Sequence, residues 1–222
     1  MKIIAHIHTD FPTKFGIPRQ SGLDGELEGV VEFVPEFSNP DYVRGIEAYS
    51  HLWLLWCFSE SAEHPSSPTV RPPRLGGNQR VGVFATRSPF RPNPIGLSSV
   101  RLLRVEDVDG GKRLIVSGAD LMDGTPIYDI KPYLAFTDSH PDAVGGFSDA
   151  SLPPPLSVRI DPEFAAKLPV EKLGPLIRIL QEDPRPAYQD DPERIYGFPF
   201  SGFEIRFRVE GDVLTVVSVD SR

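Results

Sequence analysis

Cysteine is nearly absent from this sequence, and long apolar runs are missing. Cys57 is the single thiol in 222 residues, so no intramolecular disulfide can form and a disulfide-held secreted scaffold is disfavoured. The most apolar stretch, 52–58, is far shorter than the roughly 20 residues that a membrane-spanning helix needs. The first residues lack the basic-then-apolar pattern of a secretory signal. We therefore expect a cytoplasmic protein without a membrane partner.

Glycine-rich phosphate-binding turns and a regular alternation of strands with helices are also missing. Both features belong to the Rossmann-type domains that bind nucleotide cofactors, so that fold is disfavoured. Proline, by contrast, is abundant, and its 24 residues interrupt any long helical pattern. The composition therefore indicates short strands joined by loops of defined shape.

The hydrophobic pattern predicts a mainly β fold, with a mainly antiparallel β-barrel as the larger domain. A turn at Asp109, Gly110 and Gly111 joins two long strands into a hairpin. We expect loops at 10–20 and 86–94, where prolines cluster. Alternating or continuous apolar segments predict strands at 3–7, 25–34, 50–58, 80–85, 97–108, 112–119 and 127–133.

A change of composition after Val144 predicts a second, smaller domain. Glycines and prolines follow that residue and are typical of a linker. We expect a barrel domain at 1–150 and a small C-terminal α+β domain at 151–222.

The elements of the smaller domain are expected to be short. A helix is predicted to begin near Asp161, and Pro169 and Pro175 should break it into pieces. Two apolar segments around a glycine turn predict a closing hairpin, with strands at 203–209 and 213–219.

Charge is distributed unevenly along a chain whose net charge is −8. Between His64 and Val105 there are seven arginines and no acidic residue. Guanidinium groups make planar, two-pronged contacts with phosphate or carboxylate, so this arginine block fits an anionic partner. The alternative is that these arginines pair across the fold with the acidic residues Glu26, Glu28 and Glu32.

Two segments could carry chemistry. Residues 86–96 contain three prolines, which hold a rigid loop that presents two arginines, Arg87 and Arg91. Residues 120–126 form a turn that leads to Asp129 and on to Lys131 and Tyr133; carboxylates and carbonyls at a turn suit the amine or hydroxyls of a small polar ligand. Composition alone leaves both as loops of unknown purpose.

Metal and nucleophile motifs are weak. His6 and His8 share one face of the first predicted strand, but two ligands without a third do not define a zinc site, so we expect no metal. Ser88 precedes a proline in a loop and does not lie in a nucleophile elbow. Cys57 is best interpreted as a small buried residue.

Six segments carry longer and more specific motifs. They are Pro18-Arg19-Gln20, 45–53 (GIEAYSHLW), 71–77 (RPPRLGG), 83–96 (VFATRSPFRPNPIG), 123–133 (DGTPIYDIKPY) and 183–188 (DPRPAY). In this order, and over nearly the whole chain, they closely resemble the TrmO family, also called YaeB or TsaA-like.

The resemblance implies an S-adenosylmethionine (SAM)-dependent tRNA (adenine-N6)-methyltransferase. Its target would be the threonylcarbamoylated adenosine beside the anticodon of threonine tRNA. The resemblance also implies a homodimer, a single-sheeted β-barrel catalytic domain that binds SAM, and a small C-terminal domain, which we expect to contact tRNA.

Carried over by matching motif, the cofactor site would be formed by three loops and one aromatic strand. Leu52, Leu97 and Leu121 could sandwich the adenine, and Asp123 could attract the cationic end of the methionine moiety. The implied cofactor-binding residues are Pro18, Arg19, Gln20, His51, Leu52, Arg87, Leu97, Leu121, Met122 and Asp123.

Two further sets of residues complete the expected site. An acceptor for the proton of the target nitrogen could be Asn93, Asp129 or Tyr133. The expected tRNA-binding residues are Arg71, Arg74, Arg91, Arg185 and Tyr188. Two alternatives stay open: a SAM-dependent enzyme with another RNA or a small acceptor, and a non-catalytic module that binds SAM or RNA.

Overall fold

The computed structural model describes residues 1–22, 25–72, 75, 78–149, 154–185 and 191–222. The first eight strands are β1 (Ala5–His8), β2 (Glu28–Phe33), β3 (His51–Cys57), β4 (Thr69–Val70), β5 (Val81–Gly82), β6 (Ile95–Val108), β7 (Gly111–Ser117) and β8 (Thr125–Pro132). Helix α1 (Ala135–Asp138) follows them.

Six of these strands close into a barrel in the order β1-β2-β7-β6-β3-β8. Every neighbouring pair is antiparallel, and the circle closes where β8 pairs with β1. Closure leaves no unpaired strand edge. The predicted antiparallel barrel is therefore confirmed.

The strand sequences fill this barrel because side chains alternate between its two faces. In β3, Leu52, Leu54 and Trp56 point inward and are buried, while Trp53 and Leu55 lie between them on the outer face. The interior is completed by apolar residues of the other strands, among them Ala5, Ile7, Val31, Val100, Leu114, Val116 and Ile127.

A second sheet forms the C-terminal part of the fold. Its strands are β9 (Ser157–Arg159), β10 (Tyr196–Phe200), β11 (Phe203–Glu210) and β12 (Val213–Ser221), arranged in the order β10-β11-β12-β9. Helices α2 (Pro162–Ala165) and α3 (Val170–Gln181) precede the closing hairpin, and the buried face of α3 packs into the same apolar core as the sheet. The mainly β fold with a smaller α+β unit is therefore as predicted.

The loop after β1 joins the two halves. Phe11 belongs to the apolar core of the C-terminal sheet, and Phe15 and Ile17 pack against that core. Between them Gly16, at φ +90°, lies directly against the ring of Phe198, where any β-carbon would collide with the ring. The barrel thus inserts part of its own chain into the core of its neighbour.

Ionic contacts reinforce this junction. The Lys172 ammonium of α3 lies 2.6 Å from a carboxylate oxygen of Asp10, and both side chains are largely shielded from solvent. The Arg178 guanidinium lies 2.7 Å from the carboxylate of Glu26. Both pairs join α3 to the connection between β1 and β2, so the helix and this loop are held together.

Two expectations about secondary structure were wrong, and some short strands were not predicted. The strand predicted at 80–85 is only the two-residue β5, because Val83–Ala85 turn into a 3-10 helix. Pro175 lies inside α3 without ending it, because Leu176, Ile179 and Leu180 bury the helix against the sheet. The short strands β9 and β10 were missed. No helix in the described ranges is long and apolar enough to cross a membrane.

Substituting Gly16 with alanine should loosen the junction. The added methyl group would collide with Phe198, and overpacking of this kind costs about 1–3 kcal/mol. Gly22→Ala is the matched control, because Gly22 shares the left-handed backbone at φ +82° but has no atom within 4 Å of an added β-carbon. Urea unfolding should show Gly16→Ala to be the less stable variant; equal stabilities would contradict the proposed close packing.

Candidate functional site

One end of the barrel carries the loops that form the candidate site. Here β1, β3 and β7 end and β2, β6 and β8 begin, so the connections 9–27, 58–94 and 118–124 all emerge together. They include the proline loop, the first loop and the turn that the sequence singled out. The fold thus brings three separate motifs to one rim.

A cleft of about 1420 Å³ lies between these loops, the segment at 145–148 and the C-terminal end of α3 with the residues that follow it. Pro18, Arg19, Gln20 and Arg87, four of the residues expected to bind the cofactor, line it together. Its described walls contain one acidic residue, Glu182, against six basic residues: Lys14, Arg19, Arg71, Arg80, Arg87 and Arg185. The cleft is therefore strongly cationic in a chain of net charge −8.

Contacts between side chains hold the polar wall of the cleft. Arg87 donates a hydrogen bond to the side-chain carbonyl oxygen of Gln20. Arg19 donates to the main-chain carbonyl of Asp183 at 2.8 Å, which joins the first loop to the C-terminal part of the chain. The proline loop, the first loop and the segment after α3 are thereby linked.

Asp123 lies beside the end of β1. Its carboxylate accepts a hydrogen bond from the main-chain nitrogen of Thr9 at 3.1 Å and lies 3.2 Å from Nδ1 of His8. The other ring nitrogen of His8 is 3.5 Å from the carboxylate of Glu32. His8, which the sequence suggested only as a weak metal ligand, is thus a neighbour of an expected cofactor residue.

The leucines expected to enclose an adenine ring do not face one another. Leu52 and Leu121 are buried in the barrel core, whereas Leu97 is 54% exposed on the outer surface. The three side chains therefore do not enclose a common space within one chain, and their contact with an adenine ring stays a prediction. Leu97, Leu121 and Met122 lie near the rim, whereas Leu52 lies beside His51 at the other end of β3.

The remaining expected residues divide between the two ends of the barrel. His51 and Tyr133 lie at the opposite end, where their rings are 6.2 Å apart. Asp129 is on the outer face of β8, paired with Lys131 at 2.8 Å, in the same row as Leu97. Asn93 is exposed in the proline loop at the site end. One chain does not bring the three expected proton acceptors together.

The expected tRNA-binding residues have different surroundings. Arg71 is exposed at the wall of the cleft, and Arg185 lines it while donating to both carboxylate oxygens of Asp183 at 2.8 and 2.9 Å. Arg91 donates to main-chain carbonyls of its own loop, at Thr86 and Ser88. Arg74 and Tyr188 lie outside the described residues.

Part of the arginine block is paired within the fold, as the alternative interpretation held. Arg104 makes a two-pronged contact with Glu28, at 2.8 and 3.0 Å, and also contacts Glu106. These contacts hold the pKa of the Glu28 carboxyl below its usual value. Arg104 on the barrel strands is therefore paired with carboxylates of the fold, as that interpretation expected.

The sequence interpretation missed a buried polar chain at the same rim. Nε1 of Trp56 donates to Oγ of Ser98 at 2.9 Å, and Ser98 donates to the carboxylate of Asp120. Burial raises the pKa of Asp120, although Ser98 and the nearby Arg87 act in the opposite direction. Ser98 occupies an inward position among apolar neighbours in β6, and that break in the pattern was the available signal.

The fold and the site define a two-domain β-barrel protein with a cationic cleft at its domain junction. The family model of the tRNA-methyltransferase O N-terminal domain matches residues 6–139, and that of the TrmO C-terminal domain matches 153–222. The chain belongs to the TrmO family.

Relatives support this membership over nearly the full length. A curated tRNA (adenine(37)-N6)-methyltransferase of Escherichia coli is 40% identical, with 99% of this chain and 97% of the relative covered. One of Eikenella corrodens is 49% identical over 78% of this chain and 97% of its own. The crystal structure of TrmO from Pseudomonas aeruginosa superposes with a TM-score of 0.77 at 33% identity, covering 99% of this chain and 97% of that chain.

Asp120→Asn should stabilise the protein in a pH-dependent manner. Because burial raises the folded-state pKa of Asp120, the ionised carboxylate opposes folding, and this penalty is absent below the ordinary value of 3.8 and grows as pH rises. We expect a higher melting temperature for the variant at pH 7, with the difference shrinking toward pH 4. Asp142→Asn, an exposed change of the same charge, is the control. A variant less stable than the parent at pH 7 would contradict this interpretation.

Proposed function

We propose that this chain is a SAM-dependent methyltransferase that modifies N6 of threonylcarbamoyladenosine beside the anticodon of threonine tRNA. The observation that carries the proposal is the cationic cleft, in which Pro18, Arg19, Gln20 and Arg87 converge within a chain of the TrmO family. The chain spans almost the whole length of the curated methyltransferases that it resembles.

The residues present fit the charges of SAM. Its carboxylate requires a cationic partner, and Arg19 and Arg87 line the cleft. Its ammonium requires an anionic partner, and the exposed carboxylate of Asp123 lies on the adjacent rim. When bound, SAM supplies a methyl group already activated by the positive sulfonium. We propose the other expected cofactor residues, His51, Leu52, Leu97, Leu121 and Met122, as members of this site.

In such a reaction the protein's main tasks are to orient the two reactants and to assist removal of a proton. Holding two reactants in line can lower the activation free energy by on the order of 7–11 kcal/mol. The target nitrogen carries a hydrogen that must leave when the methyl group is added. Asn93, Asp129 and Tyr133 are our candidates to accept a hydrogen bond from it, which would make the nitrogen a better nucleophile. Of the three, only the Asp129 carboxylate can itself take the proton; beside Asn93 or Tyr133 the proton would pass to water.

The cleft charge suits an RNA partner. An anticodon loop brings phosphates and unpaired bases together, and arginines bind both by charge and by stacking. We assign Arg71, Arg74, Arg91, Arg185 and Tyr188 to tRNA contact, with the C-terminal domain at 151–222 taking part. A tRNA substrate also fits a cytoplasmic enzyme.

We further propose a homodimer. His51 and Leu55 are four residues apart on β3, which separates them by roughly 13 Å along the strand. His51 is therefore distant from the rim that holds Arg87 in the same chain. A second copy could bring the His51 end of one barrel to the rim of the other, and the exposed Leu97 is available for such a contact.

The activity is tested with SAM and two threonine tRNAs, one carrying the threonylcarbamoyl group and one lacking it. We expect a new methyl group on N6 of the modified adenosine only, located by nucleoside mass spectrometry. Transfer to the unmodified tRNA alone would indicate another acceptor. Binding of SAM without transfer to either would indicate a binding module.

Variants of the three candidate acceptors should lower turnover and leave SAM affinity unchanged. General base catalysis contributes about 10²–10⁴-fold, so loss of the Asp129 carboxylate as base should reduce kcat by at least about 100-fold. Loss of a hydrogen-bond acceptor at Asn93 or Tyr133 should reduce kcat less. Asn93→Ala, Asp129→Ala and Tyr133→Phe are compared by single-turnover methyl transfer and by SAM titration. Full turnover in all three would eliminate the set. A loss confined to SAM affinity would place the residue in the cofactor site.

A further inference from the structure

Two exposed phenylalanines line the cationic cleft. Phe84 is 78% exposed and Phe90 is 42% exposed, and both belong to the cleft walls. Large apolar side chains in contact with water are common singly, but a pair beside concentrated cationic charge marks a binding surface. Neither residue was among those that the sequence motifs suggested for any role.

The turn that carries Phe84 is held firmly. Val83 beside it is buried, and its main-chain nitrogen donates to the carbonyl of Pro68 at 3.0 Å. The carbonyl of Val83 accepts hydrogen bonds from the main-chain nitrogen and the hydroxyl of Thr86, at 3.1 and 2.8 Å. The ring of Phe84 is thus directed outward by a fixed backbone.

Phe90 is held in a similar way. Its carbonyl accepts a hydrogen bond from the main-chain nitrogen of Ser67 at 3.2 Å, and its own nitrogen donates to the hydroxyl of Ser88 at 3.3 Å. The ring of His64 packs edge-on against it, with centroids 5.9 Å apart. A side chain fixed in this manner loses little conformational entropy when a ligand covers it.

The chemistry of the cleft selects its occupant. Six cations and one acid among the described lining residues call for an anion, and flat exposed rings call for flat apolar surfaces. An acidic peptide supplies negative charge but no flat apolar surfaces for the two phenylalanine rings. A single-stranded nucleic acid supplies phosphates and unpaired bases together, and every base has a face that stacks on an aromatic ring.

We propose that Phe84 and Phe90 are stacking platforms for unpaired bases of the anticodon loop, with the surrounding arginines on its phosphates. This inference rests on the proposed tRNA substrate and adds the residues that distinguish a loop from a duplex. A paired stem keeps its bases stacked on one another, so it can use the arginines but not the two rings. Preference for a single-stranded loop is therefore a property of the two phenylalanines.

The test measures RNA affinity of the full chain by fluorescence anisotropy, without SAM. The probes are a labelled hairpin with the anticodon stem and loop of a threonine tRNA, and a fully paired duplex of the same length. Stacking contributes roughly 5- to 150-fold per base, so Phe84→Ala and Phe90→Ala should each weaken hairpin binding by at least about fivefold. Phe84→Tyr should bind like the parent, and Phe84→Leu like the alanine variant.

Matched controls separate this effect from general ones. Phe136→Ala removes a ring that is 88% exposed on α1, outside the cleft, and should change neither affinity. Duplex affinity should be unchanged in all phenylalanine variants. Unchanged hairpin binding by both cleft variants, or an equal loss for hairpin and duplex, would overturn the proposal. A change in oligomeric mass on sedimentation would instead make Phe84 a contact between copies.

The binding experiment distinguishes failure of the stacking proposal from failure of the proposed methyltransferase activity. If the parent binds the hairpin through these rings but transfers no methyl group to any tRNA, the platform stands and the enzymatic assignment fails. If methyl transfer is normal and both Phe84→Ala and Phe90→Ala bind and turn over like the parent, the enzymatic assignment stands and the proposed stacking role of the two rings fails.

Discussion

Burial of the first loop in the C-terminal core is the contact on which the cleft depends. Phe11, Phe15 and Ile17 leave the barrel and pack in the second domain, and an aromatic side chain alone buries about 150–250 Å². Pro18, Arg19 and Gln20 follow directly in the chain, so their positions are set by that burial. The loop cannot shift without opening the second core. The same buried loop therefore sets both the orientation of the C-terminal domain and the position of the polar wall of the cleft.

The second determinant is the separation of charge within an acidic chain. On the outer strands, Arg104 and Arg113 are neutralised by Glu28 and Glu106. Near the domain junction, arginines predominate with a single acid among the described walls. Salt screens exposed charges beyond about 8–10 Å, so an anion at the cleft experiences the local cations more than the net charge. The overall charge is therefore a poor guide to the partner.

Much of the barrel was predictable because a strand with one buried face alternates apolar and polar residues along its sequence. The hairpin of β6 and β7 and the pattern of β3 were of this kind. The segment at 80–85 alternates in the same way, yet it has only the two-residue β4 as a partner and turns away after Gly82. Which strands pair depends on the whole fold and cannot be inferred from the sequence of one strand.

The site was predictable in its loops but not in its arrangement. Motif resemblance identified Arg87, Gln20 and Asp123, and the fold brings their loops to one rim. It could not reveal that His51 lies at the opposite end of the barrel. The sequence distance between Ser98 and Asp120 could not reveal their contact either. Ser98 lies in β6 and Asp120 follows β7, and the two meet only because these strands pair in the barrel. Long-range contacts of this kind depend on strand register.

The pairing of Trp56 with Gly96 has a consequence for how such a fold can acquire new chemistry. The indole occupies the space that a side chain at position 96 would fill, so the interior at the rim is solid protein. The cleft is therefore lined by the loops beyond Trp56 and not by the barrel interior. The strands can then remain constant while the loops change length and sequence. Sequence changes in these loops would alter the cleft and leave the packed interior of the barrel unchanged.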